Sequence, residues 1–341
     1  MKCYNLEKAE KLQFVETPSK QAGEKKVIVR ITSMGLSSTD IAMFKGIRKV
    51  DFPLVLSSLA VGVVSEVGAE VYSCEKGDRV ILMPYQECGR CFECKTGETE
   101  KCQNVACSGV DKDGYLCDFI EVAESKIVVI PKRLDDEVAI FAKIVDMAIH
   151  VCDKLDVEKG ENVIIGSAGI LGIIIAQVVE YYQGVPILID RNIKNIEISE
   201  NFGFTQVYSL QKEDIVQTVM QATGGKMADS LILISGHSFE AERAPEFVKK
   251  GGKIAIRRDN VNSDPINADK LFERNISFYP VKSYGKEFMM AVNLLLNQSV
   301  KVEGLYKKSG TFSELGKTID ELSELFDQKE SIMVNIVDML G

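Results

Sequence analysis

Four cysteines crowd into one short stretch, Cys88-x2-Cys91-x2-Cys94-x7-Cys102. Thiolate sulfur is a soft donor, and four thiolates in one loop can close a tetrahedron around Zn2+ with no position left open, which is the arrangement of a structural site. An iron–sulfur cluster takes the same ligand type, although a closed four-cysteine loop in a chain of this kind is more often a zinc site. Such a site contributes about 10–16 kcal/mol of apparent binding free energy to folding a segment with little core of its own. The chain has nine cysteines. An odd count, unevenly spread and without an apolar leader in residues 1–10, argues against a disulfide framework.

A second stretch has the spacing of a phosphate cradle. The run ENVII is followed by Gly166-Ser167-Ala168-Gly169-Ile170-Leu171-Gly172 and then by apolar residues that read as a helix. Small residues there let backbone N–H groups approach a pyrophosphate at the helix N-terminus. The fingerprint is imperfect, because aligned on Gly169 and Gly172 its first glycine is Ser167. The next strand pattern ends in Asp190, where a carboxylate would accept from the ribose hydroxyls of NAD and repel the 2′-phosphate of NADP. Arg191 beside it could serve a 2′-phosphate instead, and tight turns unrelated to nucleotides also use glycine.

These two clusters need different scaffolds. Before about Pro131 the chain reads as short strands and turns: KVIVRIT, AVGVVSEV followed by Gly68, and RVILM after Gly77-Asp78. Beyond it, helix and strand patterns alternate. Helices are expected over 136–153, 170–183, 194–202, 212–222 and 240–249, and strands over 162–166, 186–190, 206–208, 229–235 and 252–257. Alternation of continuous apolar strands with helices predicts a doubly wound parallel sheet covered on both faces, an α/β fold. Helices over 286–297 and 313–328 and a closing strand over 332–337 follow, and a lone terminal strand needs the first lobe's sheet to join.

At 341 residues the chain suits two domains. A formal net charge of −9 gives nucleic acid little to bind, so a small-molecule substrate is expected rather than a nucleic-acid partner. The most apolar stretch, 170–179, is too short to span a bilayer, and no membrane partner is expected. Without a leader the chain reads as cytoplasmic.

The segments VIVRITSMGLSSTD, AVGVVSEVG, KGDRV, CGRCFECKTGETEKC, DGYLCDFI, GSAGILG, ILIDRN, MADSLILISG and KKGGKIAI together resemble the medium-chain dehydrogenase superfamily, in its zinc-containing alcohol and polyol branch. The resemblance implies a GroES-like β-rich catalytic domain (1–144 and 284–341, with a zinc lobe at about 84–105) and a Rossmann coenzyme domain (145–283). It also implies one structural zinc per chain on Cys88, Cys91, Cys94 and Cys102, NAD on the Gly166–Gly172 turn and Asp190, and assembly as a homodimer or homotetramer.

It fails at one coherent place. Ser37 stands where the zinc members carry a cysteine, Ser58 where they carry a histidine, and Lys143 by similarity where a glutamate falls; Leu59 replaces the glutamate beside the histidine. Neutral hydroxyls are poor zinc ligands and an ammonium has no lone pair to give. The expectation is therefore a lost catalytic metal, with Lys143 supplying the positive charge in its place, as proton donor or fixed charge, and Thr39 retained as the family hydroxyl on the reacting oxygen. Two other readings stay open. One is a zinc-free quinone or enoyl reductase, against which the intact cysteine lobe and Asp190 argue. The other is a non-catalytic NAD-binding paralogue serving as sensor or assembly partner, to which Ser167 and Arg258 point. His150 and His237 match no ligand position.

Overall fold

The structure is a computed structural model that describes residues 1–18, 21–211, 214–234, 241–257, 266–282, 285–328 and 333–340. The chain divides into two compact units, Met1–Lys143 with Tyr284–Asn297 and Val302–Gly341, and Ile144–Ser283 with Gln298–Lys301.

The first unit is built on a seven-stranded sheet. Its order is Ile127–Val129, Arg79–Leu82, Leu59–Val67, Lys26–Leu36, Val334–Asp338 and Tyr306–Thr311, with Phe119–Ala123 also paired to Lys26–Leu36. The long strand Lys26–Leu36 is buried along most of its length, because Val27, Val29, Ile31, Met34 and Leu36 all enter the core. The chain's last strand lies antiparallel to it, with Ile336 opposite Gly35. A three-stranded sheet, Lys11–Glu16, Lys2–Lys8 and Leu54–Val55, packs beside this one through Leu6, Leu54 and Leu56. The short helix Ser38–Phe44 follows the long strand and buries Ile41 and Met43 in the same core.

The second unit is a six-stranded parallel sheet in the order Val207–Ser209, Val185–Asp190, Asn162–Gly166, Ala228–Leu233, Val248–Ile256 and Ser277–Pro280. The chain winds outward from Asn162–Gly166 in one direction, returns, and winds outward in the other. This topological switch leaves a crevice at the carboxyl ends of the central strands, where the glycine turn lies. Ile164, Ile187, Leu231 and Ile254 are fully buried, as strands covered on both faces require.

Several elements differ from the sequence expectation. The helix expected over 240–249 is only a 3-10 turn, Ala241–Glu246. Pro245 lies inside it, and the strand Val248–Ile256 starts soon after, so sheet pairing takes residues a helix would have used. The helix expected over 136–153 is two, Asp136–Ala139 and Ala142–Leu155. The strands Ser277–Pro280 and Tyr306–Thr311 and the helix Ala268–Glu273 carry too little apolar alternation to stand out in the sequence. Among the described residues, no helix is long and apolar enough to cross a membrane.

Candidate active site and metal centre

The first cluster forms where the long strand of the first unit ends. Ser37 caps the helix Ser38–Phe44: its hydroxyl donates to Asp40 Oδ2 at 2.7 Å and its backbone N–H donates to the same oxygen at 2.8 Å. Asp40 is 3% exposed, and its other oxygen accepts the Ser57 N–H at 3.0 Å. Burial pushes the Asp40 carboxyl above its ordinary range; the Ser37 donors, the nearby Lys143 charge and the Ser57 N–H pull it back.

Ser57 sits in the left-handed region at φ 68°. Its hydroxyl donates to Gly35 O at 2.9 Å and accepts the Leu59 N–H at 3.3 Å, which holds a residue with a side chain in a conformation that favours glycine. This turn aims Ser58, and the Lys143 ammonium donates a short hydrogen bond to Ser58 Oγ. Lys143 also lies 5.9 Å from the centre of the Tyr85 ring, a cation over an aromatic face.

So Ser58 and Lys143 touch directly. Ser37 joins them through Asp40 and the Ser57 backbone, and Thr39 is half-buried on the same short helix. Asp40, Ser57 and Tyr85 were not singled out from the sequence. A signal for Asp40 was available, because Ser37-x2-Asp40 has the spacing of a capping box.

The turn that carries Ser58 depends on close backbone approach. The N–H groups of Gly114, Tyr115 and Leu116 donate to Val55, Leu56 and Ser57 carbonyls at 2.7–3.1 Å. A Cβ on Gly114 would fall 2.1 Å from Ser57 O. Gly114→Ala must therefore push the turn away, and it is expected to lower unfolding stability by about 1–3 kcal/mol, read from the urea midpoint. A midpoint equal to wild type would show that the turn gives way freely.

The cysteine lobe brings together Cys88, Cys91, Cys94 and Cys102, whose sulfurs all lie within 4.8 Å of one another. Cys91 Sγ and Cys102 Sγ are 3.8 Å apart. A tetrahedron with Zn–S bonds of about 2.3 Å has edges of about 3.8 Å, so the donor set fits a zinc ion. Gly89, at φ 68°, makes the tight turn between the first two cysteines. The backbone N–H groups of Arg90 and Cys91 favour the Cys88 thiolate and hold its pKa at about 6.

In the second unit, Gly169 precedes the helix Ile170–Tyr181 with no side-chain cap, so the helix's first N–H groups are not used by a capping side chain. A Cβ on Gly172 would fall 1.8 Å from Ser167 O, so glycine alone lets the helix close onto the turn. Ser167 stands where the fingerprint has glycine and keeps a positive φ of 158°. Its hydroxyl donates to Asp190 Oδ2 at 3.2 Å and accepts the Gly169 N–H at 3.3 Å.

Asp190 ends its strand 3% exposed. It also accepts Ala168 N–H at 2.8 Å, Asn195 Nδ2 at 2.9 Å and Asn192 N–H at 2.8 Å. Ser199 Oγ donates to Ala168 O at 2.9 Å and ties the turn to the next helix. Gly166, Ser167, Gly169, Ile170, Leu171, Gly172 and Asp190 thus meet at the switch point, and Arg191 is exposed beside them. Asn192, Asn195 and Ser199 were not foreseen as partners of this turn. His150 lies on the helix Ala142–Leu155, partly buried; His237 and Arg258 fall outside the described residues.

Comparison with known proteins points the same way. Residues 23–132 match the alcohol dehydrogenase GroES-like domain. The chain is 26% identical over 326 residues to an uncharacterised zinc-type alcohol dehydrogenase-like protein of Haemophilus influenzae, covering 95% of each chain. It is 21% identical over 341 residues to sorbitol dehydrogenase of Bacillus subtilis, covering 98% of this chain and 97% of that one. An Escherichia coli alcohol dehydrogenase solved in complex with its cofactor NADH superposes with a TM-score of 0.87 at 20% identity, covering 99% of each, a likeness of fold. Domain match, full-length relatives and a glycine turn at the switch point of a parallel sheet converge: the chain carries an alcohol dehydrogenase GroES-like domain, is similar over nearly its whole length to zinc-type alcohol and polyol dehydrogenases, and is an alcohol dehydrogenase-like oxidoreductase.

Proposed function

We propose that the chain interconverts an alcohol of polyol or sugar-acid type and the corresponding carbonyl with NAD(H), using Lys143 where zinc relatives use a metal, and that it carries one structural zinc in the cysteine lobe. The observation that carries the reading is the Lys143 ammonium seated on Ser58, beside the buried Asp40. Nicotinamide would supply the hydride acceptor or donor. The chain must then hold the substrate oxygen and meet the charge that develops on it. Lys143 presents a cation for that purpose, Ser58 fixes where the cation points, and Asp40 with Ser37 and Ser57 fixes the turn beneath Ser58. Thr39 adds a hydroxyl on the same short helix. The dinucleotide's phosphates would meet the N–H groups at the start of the helix Ile170–Tyr181.

A screen of polyols, sugar acids and their ketones for NADH-linked turnover tests the reading, run with and without a chelator that strips exposed catalytic zinc. Turnover that survives chelation is expected. Turnover lost with the fold intact, and restored by added zinc, would overturn the metal-free assignment.

The fixed carboxylate of Asp190 also sets cofactor choice. Its charge opposes a 2′-phosphate and its oxygens suit a ribose diol, so NADH is expected to bind at least about tenfold more tightly than NADPH, a difference of about 1.4 kcal/mol. Fluorescence titration measures both. Equal or inverted affinities would mean that the exposed Arg191 outweighs Asp190.

A further inference from the structure

Outside the cysteine lobe, two thiols face each other across an isolated antiparallel bridge. Cys3 lies on the strand Lys2–Lys8 and bridges antiparallel to Cys117. Tyr4 N–H donates to Leu116 O at 3.0 Å and Asp118 N–H donates to Lys2 O at 2.9 Å. The hydrogen bonds therefore flank the two cysteines, which form a non-hydrogen-bonded pair. In such pairs the Cα atoms stand about 4.5 Å apart and both side chains leave on one face. That separation lies inside the range a disulfide spans. An odd number of cysteines rules out a full framework and is compatible with one pair.

We propose that Cys3 and Cys117 form a reversible intrachain disulfide, fastening the N-terminal strand to the segment that holds the Ser57–Ser58 turn. That segment is the one whose Tyr115 and Leu116 N–H groups grip Leu56 and Ser57, so the bond would brace the floor of the candidate active site.

The oxidant is a low-molecular-weight disulfide such as oxidised glutathione. The half-buried Cys3 thiolate attacks one of its sulfurs; that S–S bond breaks and the departing thiolate takes up a proton. The buried Cys117 then gives up its proton and attacks the Cys3 sulfur of the mixed disulfide, expelling the second glutathione thiol. Two protein thiols are oxidised and one external disulfide is reduced to two thiols. The division of labour suits the pair: the hydrogen bond from Cys117 favours the thiolate at Cys3, and the same bond with burial keeps Cys117 as a thiol.

The test uses the full chain with zinc retained. After exposure to oxidised glutathione, free thiols are alkylated and the protein is digested with trypsin. Mass spectrometry should find the peptide 3–8 joined to the peptide 113–126, a product released by dithiothreitol and absent from the Cys3→Ser variant. The oxidised protein should also melt on the order of 5 °C above the reduced protein. Cys3 found as a stable glutathione adduct with Cys117 free to alkylate would overturn the pairing. The joined peptide with an unchanged melting point would overturn the bracing.

Discussion

Replacing Lys143 with Met is expected to lower kcat/KM about a thousandfold while NADH affinity stays at the wild-type value. A single cation about 4 Å from a developing alkoxide is worth about 4 kcal/mol at an effective dielectric of 20, and each 1.36 kcal/mol is a factor of ten in rate. Met keeps most of the side-chain length and removes the charge. The fold should persist, because Asp40 retains its donors from Ser37 and Ser57 when Lys143 is gone. A small stability cost is still expected, with a definite pH dependence. Burial already raises the Asp40 carboxyl in the folded state, so folding favours its protonated form and stability falls as pH rises through its titration. Losing the Lys143 charge raises that carboxyl further and deepens the fall. Lys143→Arg keeps the charge with a different reach and should recover part of the activity. Turnover of Lys143→Met within threefold of wild type would remove Lys143 from the mechanism.

How much of this was legible in the sequence depends on whether a signal was local. The four-cysteine cluster was legible because its short, fixed spacing keeps Cys88, Cys91, Cys94 and Cys102 in one loop. The parallel sheet was legible because each buried strand is a continuous apolar run, as in VIIG and ILID. What escaped was set by tertiary contact. Tyr306–Thr311 reads YKKSGT and becomes a strand only because Val334–Asp338 is there to pair with it. Val248 and Lys249 end the expected helix and are instead drawn into a strand beside Ala228–Leu233.

The candidate active site shows the same division. Ser37, Ser58 and Lys143 were found by position against a pattern, but the pattern did not predict how they meet. Asp40 links Ser37 to Ser57, and that link exists only because burial gathers three donors on one carboxylate. Ser57 in a left-handed turn against Gly114 is likewise a fact of packing, 57 residues distant along the chain. At the cofactor turn, the serine in place of a glycine looked like a defect. With its hydroxyl between Asp190 and the Gly169 N–H, it is a working part of the turn.

Purified protein is expected to carry about one zinc per chain, and Cys94→Ser to lose it. The lobe has little else to hold it. The helix Phe92–Lys95 buries none of its residues, and Phe92 is 76% exposed. The lobe's ion pair Lys101–Glu98 is solvent-exposed, and such pairs add at most about 1 kcal/mol. A bound zinc, contributing about 10–16 kcal/mol of apparent binding free energy, would therefore dominate the local stability. Exchanging one thiolate for a neutral hydroxyl removes a quarter of the ligand set and the charge that draws the dication. Limited trypsin digestion should report the result, because Arg90, Lys95 and Lys101 are exposed within the lobe and are shielded by its fold rather than by burial. Wild type should resist cleavage there, while the Cys94→Ser variant and chelated wild type should be cut in the lobe before the rest of the chain. Elemental analysis decides the companion question. Two zinc ions per chain would place a metal beside Ser37, Ser58 and Lys143, and would overturn the replacement of the catalytic zinc by a lysine. A zinc-replete, trypsin-resistant Cys94→Ser protein would instead overturn the ligand assignment in the lobe.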